Sequence, residues 1–133
     1  MSVKLDRVTY VEDEADIRSI TEFALKEIGG FTLDVCASGP EAIGKAPAFN
    51  PDLIILDVMM PGMDGIETFE RLRVIPQLAE TPIIFMTAKA MTHETDYYRS
   101  LGAADVITKP FDPLTLSDRI QEIWQKAKER PVT

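Results

Sequence analysis

One cysteine, Cys36, and one histidine, His93, are all the chain has of the residues that build disulfides and most zinc sites. A single thiol cannot close an intrachain disulfide, so nothing points to an oxidising compartment, and the cytoplasm is the expected setting. Cys36 lies inside an apolar run and reads as a small core residue. His93 opens a polar helical stretch without partner ligands, so a surface role is expected for it. Long apolar runs are also missing. None approaches the roughly 20 residues of a membrane helix, and the N-terminus lacks the apolar region of a signal peptide. Positive charge is scarce, with 14 Lys and Arg against 22 Asp and Glu and a net charge of -8. Such a surface repels a phosphate backbone, which argues against nucleic acid as a partner. Internal repeats, low-complexity stretches and linkers are absent, and the tail Glu129-Arg-Pro-Val-Thr133 follows the last helical pattern closely. One domain over 1–133, with no output domain, is the expectation.

What the chain does have is alternation. Hydrophobic residues make up 45% and charged residues 27%, enough to bury a core. Short apolar runs occur at Val8–Val11, Phe31–Cys36, Leu53–Leu56, Ile83–Met86 and Val106–Ile107. Runs such as Leu-Ile-Ile-Leu suit parallel strands covered on both faces. Helical stripes lie between them: Ile17, Ile20, Ala24 and Ile28, ended by Gly29-Gly30; Ile66, Phe69 and Leu72; and Leu116, Ile120, Ile123 and Ala127. Helix starts carry caps. Ser38 with Glu41 reads as a capping box with Pro40 in the first turn, Asp64 with Glu67 repeats it, and Asp112-Pro113 opens the last helix. Gly102 follows Leu101, where a left-handed cap would close a helix begun near Thr92. Five β-α units in this order predict an α/β fold, a parallel sheet with helices on both faces.

In open parallel sheets, ligands bind beyond the carboxyl ends of the strands. The runs end in Glu12-Asp13, Ala37-Ser38, Asp57, Thr87 and Thr108-Lys109-Pro110. Three carboxylates, a hydroxyl and an ammonium therefore converge on one edge if the fold is right. Carboxylates about 5 Å apart repel by roughly 3 kcal/mol per pair at an effective dielectric of 20. Mg²⁺, which takes carboxylates, waters and phosphate oxygens together, is the natural counter-charge. A carboxylate in that company can act as a nucleophile toward phosphorus, with the ammonium and hydroxyl balancing the oxygens of the transferring group.

One pattern misleads. Gly39-Pro-Glu-Ala-Ile-Gly44-Lys45 fits G-x-x-x-x-G-K, yet Ala46 stands where Ser or Thr is needed and Pro40 removes a backbone donor. Nucleotide binding is not expected there. Trp124, Tyr97 and Tyr98 read as packing or partner-surface residues.

Tyr-Val-Glu-Asp-Glu at 10–14, Leu-Ile-Ile-Leu-Asp-Val-Met-Met-Pro-Gly-Met-Asp-Gly at 53–65, Met-Thr-Ala at 86–88 and Thr-Lys-Pro-Phe at 108–111 together resemble the response-regulator receiver family over nearly the whole chain. The resemblance implies a doubly wound, flavodoxin-like, five-stranded sheet of order 2-1-3-4-5. It makes Asp57 the phosphoacceptor and Glu12, Asp13, Asp57 and the Met59 carbonyl the Mg²⁺ ligands. Lys109 would meet a phosphoryl oxygen, Thr87 would be the switching hydroxyl, and the backbone N–H groups of Met59 and Ala88 would complete the cradle. The Lys109-Pro110 bond would be cis. The partner implied is a histidine kinase or histidine phosphotransfer protein, with output through the fourth helix, fifth strand and fifth helix. The chain departs from the family at Val106, where an aromatic side chain is usual, and this puts the strength of that output in question.

Two other readings compete. A phosphatase of the haloacid-dehalogenase type would need a second Asp two residues after the nucleophile, and Met59 stands there. A flavodoxin would need a phosphate loop after the first strand, where Glu12-Asp13-Glu14 would repel the cofactor. The expectation is a signalling domain with slow phosphorylation and dephosphorylation chemistry of its own, not a conventional enzyme.

Overall fold

The computed structural model describes residues 4–88 and 91–129. Five parallel strands, β1 (Arg7–Val11), β2 (Thr32–Cys36), β3 (Leu53–Asp57), β4 (Ile83–Thr87) and β5 (Asp105–Thr108), form one sheet of order β2-β1-β3-β4-β5. The helices are α1 (Ala15–Phe23), α2 (Gly39–Phe49), α3 (Gly65–Arg73), α4 (Thr92–Ser100) and α5 (Leu116–Glu129). This is the expected doubly wound fold. Strand order reverses between β1 and β3, so their carboxyl ends frame the crevice where such sheets bind ligands.

Alternation along the central strands divides the core in two. Ile54, Leu56, Ile83 and Phe85 face one side, where Ala42 and Ala46 of α2, Phe69 and Leu72 of α3 and Tyr98 of α4 cover them. Leu53, Ile55, Ile84 and Met86 face the other, under Leu25 and under Leu116, Ile120, Ile123 and Trp124 of α5. All five residues of β3 and of β4 are buried, as their unbroken apolar runs require. Trp124 anchors α5 by donating its indole N–H to the Asp52 carbonyl at 3.0 Å.

The caps are largely as expected. Ser38 accepts from the Glu41 N–H at 3.2 Å and Asp64 from the Glu67 N–H at 2.9 Å. Glu41 reaches back to the Ala37 N–H instead of that of Ser38, bracing the chain one residue earlier than a standard capping box. Gly102 takes a left-handed φ of 111° just past Leu101. The tail expected after Glu129 lies outside the described residues.

Two expectations need correction. The stripe Ile17, Ile20, Ala24 and Ile28 does not form the inner face of the first helix. Of its members only Ala24 is buried; Ile20 and Ile28 are exposed, and Thr21 and Leu25 take the inner positions beside Ala24. The helix continues past Phe23 as a π-helical turn over Ala24–Ile28, where the Gly29 N–H reaches back five residues to Ala24. That wider turn moves Ile28 off the inward side. The last helix also begins later than Asp112-Pro113 suggests. Asp112 closes a turn, its carboxylate accepting from the Leu114 N–H at 2.9 Å, and the regular helix starts at Leu116.

Candidate functional site

Glu12 and Asp13 lie just past β1, Asp57 is the last residue of β3, and Lys109 follows β5. The parallel register brings these ends to one rim, because Val11 pairs with Leu56 and Asp57 pairs with Met86. One carboxylate oxygen from each of Glu12, Asp13 and Asp57 lies within 4.8 Å of the others. The Lys109 ammonium bridges two of the acids, 2.9 Å from Asp57 Oδ1 and 3.1 Å from Glu12 Oε1. The four side chains that the sequence selects do meet.

Burial sets the electrostatics. Glu12 is fully buried and Asp57 only 1% exposed. Three carboxylates against one ammonium leave two negative charges uncompensated. Loss of water pushes the Asp57 carboxyl up to about 7; the Lys109 hydrogen bond opposes that rise, and repulsion from Glu12 adds to it. Lys109 moves upward too, since its bonds to Asp57 and Glu12 outweigh its own burial. One ammonium cannot serve two buried acids fully.

The donor set fits a divalent cation. Asp13 Oδ1 is buried and has no hydrogen-bond partner among the described residues. A buried carboxylate oxygen without a donor is costly, and a cation beside it removes the cost. The surplus charge equals that of Mg²⁺, and hard oxygen ligands are what Mg²⁺ takes. The loop carrying Glu12 and Asp13 is held by Arg18, whose guanidinium donates to both of their carbonyls at 2.9 and 3.2 Å. Glu12 Oε2 accepts from the Glu14 N–H at 3.2 Å.

Met59, Ala88 and Lys109 line a cleft of about 490 Å³ beside Asp57, whose other wall carries Ile17, Ile20 and Phe111. Thr87 ends β4 almost fully buried, and its side chain hydrogen-bonds the Tyr98 phenol. Tyr98 packs on Phe85 with ring centroids 5.3 Å apart. Val106 is buried in the same cluster. The Lys109-Pro110 bond is cis.

Several residues stand apart. Lys45 of the misleading glycine pattern pairs with Asp34 at 2.9 Å and Glu41 at 3.3 Å, and Gly39 begins α2. His93 is exposed beside Glu94. Burial pushes the Cys36 thiol up to about 12, so it is no nucleophile. Met59 offers no acid next to Asp57, and the phosphatase reading finds no support.

Two contributors were not singled out from the sequence. A Cβ on Gly65 would lie 2.3 Å from the Asp57 carbonyl oxygen and 2.7 Å from Val58 Cα, so only glycine lets α3 start against the backbone of the acid. Tyr10, fully buried, points its hydroxyl at Glu12 Oε1, 3.3 Å away, and at Thr21 Oγ1, 3.0 Å away. A tyrosine within the strand run Val8–Val11, two residues before Glu12, was the available signal for it.

Comparison with known proteins agrees with the geometry. The family model described as response regulator receiver domain matches residues 8–121. The alkaline phosphatase synthesis transcriptional regulatory protein PhoP of Bacillus subtilis is 36% identical over 92% of this chain and 50% of its own length. The phosphate regulon transcriptional regulatory protein PhoB of Rhizobium meliloti is 36% identical over 93% of this chain and 54% of its own. The chain thus spans about half the length of these curated relatives. The chemotaxis protein CheY4 of Vibrio cholerae superposes with a TM-score of 0.83 at 32% identity, covering 90% of this chain and 99% of that one.

Proposed function

The chain belongs to the response regulator receiver domain family of two-component signalling, and from that premise we propose that Asp57 is its phosphoacceptor and Lys109 and Thr87 its phosphoryl-binding side chains. The observation that carries this assignment is the Lys109 ammonium held between Asp57 and Glu12, within an acidic cluster that keeps a buried, unpartnered oxygen on Asp13.

Glu12, Asp13, Asp57 and the Met59 carbonyl would hold Mg²⁺, which when bound offsets negative charge on the carboxylates and the incoming phosphoryl oxygens. Asp57 then attacks phosphorus in line through a carboxylate oxygen. A C–O–P bond forms, the bond to the donor nitrogen or oxygen breaks, and the electron pair leaves with the donor. Lys109 turns from the Asp57 carboxylate to a phosphoryl oxygen, keeping its charge. Thr87 exchanges its bond with Tyr98 for one to the phosphoryl group. Backbone N–H groups of Met59 and Ala88 would donate to the remaining oxygens. Water later attacks the phosphorus in line, the bond to the Asp57 oxygen breaks, inorganic phosphate leaves and the carboxylate is restored, so the domain's own chemistry is slow phosphorylation and dephosphorylation.

The phosphoryl group shifts an equilibrium by favouring one arrangement of the rim. We assign the output to the α4-β5-α5 face, where Asp105 joins Arg99 of α4 at 2.7 Å and Arg119 of α5 at 3.5 Å. With Val106 buried there, the buried ring available to report movement of Thr87 is that of Tyr98. A histidine kinase or phosphotransfer protein is the donor that the family implies, and the apolar cleft wall of Ile17, Ile20 and Phe111 suits a protein surface. The net charge of -8 supports protein over nucleic acid as this domain's partner. No helix among the described residues is long and apolar enough to cross a membrane, and the free thiol together with a kinase donor supports the cytoplasm as the setting.

Acetyl phosphate with Mg²⁺ is expected to add one phosphoryl mass to the wild type and none to Asp57→Asn. Equal labelling of the two proteins overturns the assignment.

A further inference from the structure

Tyr10 poses a question that packing alone leaves open. Its position in β1 is fully buried among Leu53, Ile55 and Leu25, where Phe would fill the same space without a polar atom to satisfy. The hydroxyl has two neighbours. Thr21 Oγ1 lies 3.0 Å away and Glu12 Oε1 lies 3.3 Å away.

Counting protons shows what the arrangement can do. The Thr21 hydroxyl donates its only proton to the Ile17 carbonyl at 2.8 Å, so its oxygen is left to accept. Tyr10 therefore has one proton and two acceptors. In this structure Glu12 Oε1 also accepts from Lys109 at 3.1 Å. The carboxylate has a donor without Tyr10, and the Tyr10 proton is free to rest on Thr21, the nearer oxygen.

We propose that Tyr10 is a positioning residue for the ion-binding acid Glu12, its hydroxyl proton turning from Thr21 to Glu12 Oε1 when Lys109 leaves that oxygen. The inference rests on the phosphoacceptor reading above, in which Glu12 holds Mg²⁺, and a dication among the acids repels the Lys109 ammonium from Glu12 Oε1. Glu12 is fully buried, so an oxygen abandoned by Lys109 would otherwise lose its donor at a place water does not reach. Rotation of one phenolic proton supplies the replacement without moving a heavy atom. Partners behind a metal ligand commonly change metal affinity 10- to 100-fold when removed.

The test is Mg²⁺ and Mn²⁺ binding by calorimetry on the whole unphosphorylated chain, for the wild type, Tyr10→Phe and Thr21→Val. Tyr10→Phe keeps the ring and is expected to weaken ion binding about tenfold while the ion-free melting temperature stays within a few degrees. Thr21→Val removes the competing acceptor, leaves the Tyr10 proton to Glu12, and is expected to bind the ion more tightly than the wild type; an affinity no higher than wild type counts against the proposal. Equal affinity in Tyr10→Phe overturns the proposal. So does an equal loss in both variants, which would mean disturbed packing and not a missing donor; the opposite effect expected of Thr21→Val keeps the idea testable should Tyr10→Phe fold poorly. Acetyl phosphate labelling of the wild type runs alongside. A wild type that neither binds the ion nor takes the label defeats the phosphoacceptor reading itself, whereas a normal wild type with a normal Tyr10→Phe defeats only this inference.

Discussion

Replacing Asp57 with Asn should make the metal-free protein more stable, and the gain should depend on pH. Burial raises the Asp57 carboxyl from 3.8 to about 7. A group whose folded value lies above its unfolded one stabilises the fold while protonated and loses that contribution as pH rises. Wild-type stability from this group is therefore complete below about pH 4, falls between 4 and 7, and is gone above 7. At about 1.4 kcal/mol for each pH unit separating 3.8 from 7, the ionised side chain costs about 4 kcal/mol at pH 8. Asn has nearly the same shape and no charge. For a chain of this length about 3 °C of melting temperature accompanies each kcal/mol, so Asp57→Asn should melt roughly 10 °C above wild type at pH 8 in EDTA. The gap should shrink to a few degrees at pH 4.5. Added Mg²⁺ should raise the wild-type melting point, because a ligand that binds only the folded state stabilises it, and should raise that of the variant less. Thermal denaturation followed by circular dichroism, at both pH values with and without the ion, gives all four comparisons. A variant no more stable than wild type at pH 8, or a gap unchanged between the two pH values, would refute the argument that surplus buried charge strains the resting site.

Further outcomes follow from other contacts. Lys109→Ala should slow acetyl phosphate labelling at least tenfold while calorimetry finds Mg²⁺ binding retained; unchanged labelling would remove Lys109 from the chemistry. Gly65→Ala must displace either α3 or the Asp57 backbone, which should lower stability by about 1–3 kcal/mol and slow labelling as well. Normal melting and labelling together would show that the close approach is tolerated. Ile17→Ser with Ile20→Ser should leave labelling by acetyl phosphate within twofold but weaken transfer from a protein donor, measured by radiolabel transfer from a phosphorylated kinase. Equal effects on both donors would contradict a docking role for that wall.

Sequence reading found what is strongly periodic or chemically loud. The unbroken runs of β3 and β4 announce buried parallel strands, and the acids and Lys at the strand ends announce the rim. It erred where one apolar residue can serve two purposes. Ile20 has the spacing of a core residue, yet it faces the cleft, and Thr21 takes the inner position because its hydroxyl is satisfied by the Ile17 carbonyl and by Tyr10. Spacing alone could not choose between these neighbours, and further along the π-helical turn after Phe23 shifts the phase that would have placed Ile28 inside. Gly65 and Tyr10 escaped for a related reason. Both matter through what lies close in space, and neither carries a charge that would announce it.

Ile17, Ile20 and Met59 on the apolar side of the cleft belong to neither half of the core. Ile20 is 52% exposed and Met59 63% exposed, so neither does much to hold the sheet together. Under the docking role proposed above, recognition is decoupled from folding: the wall can be rewritten one side chain at a time while the acidic rim beside it, and the framework beneath it, stay as they are.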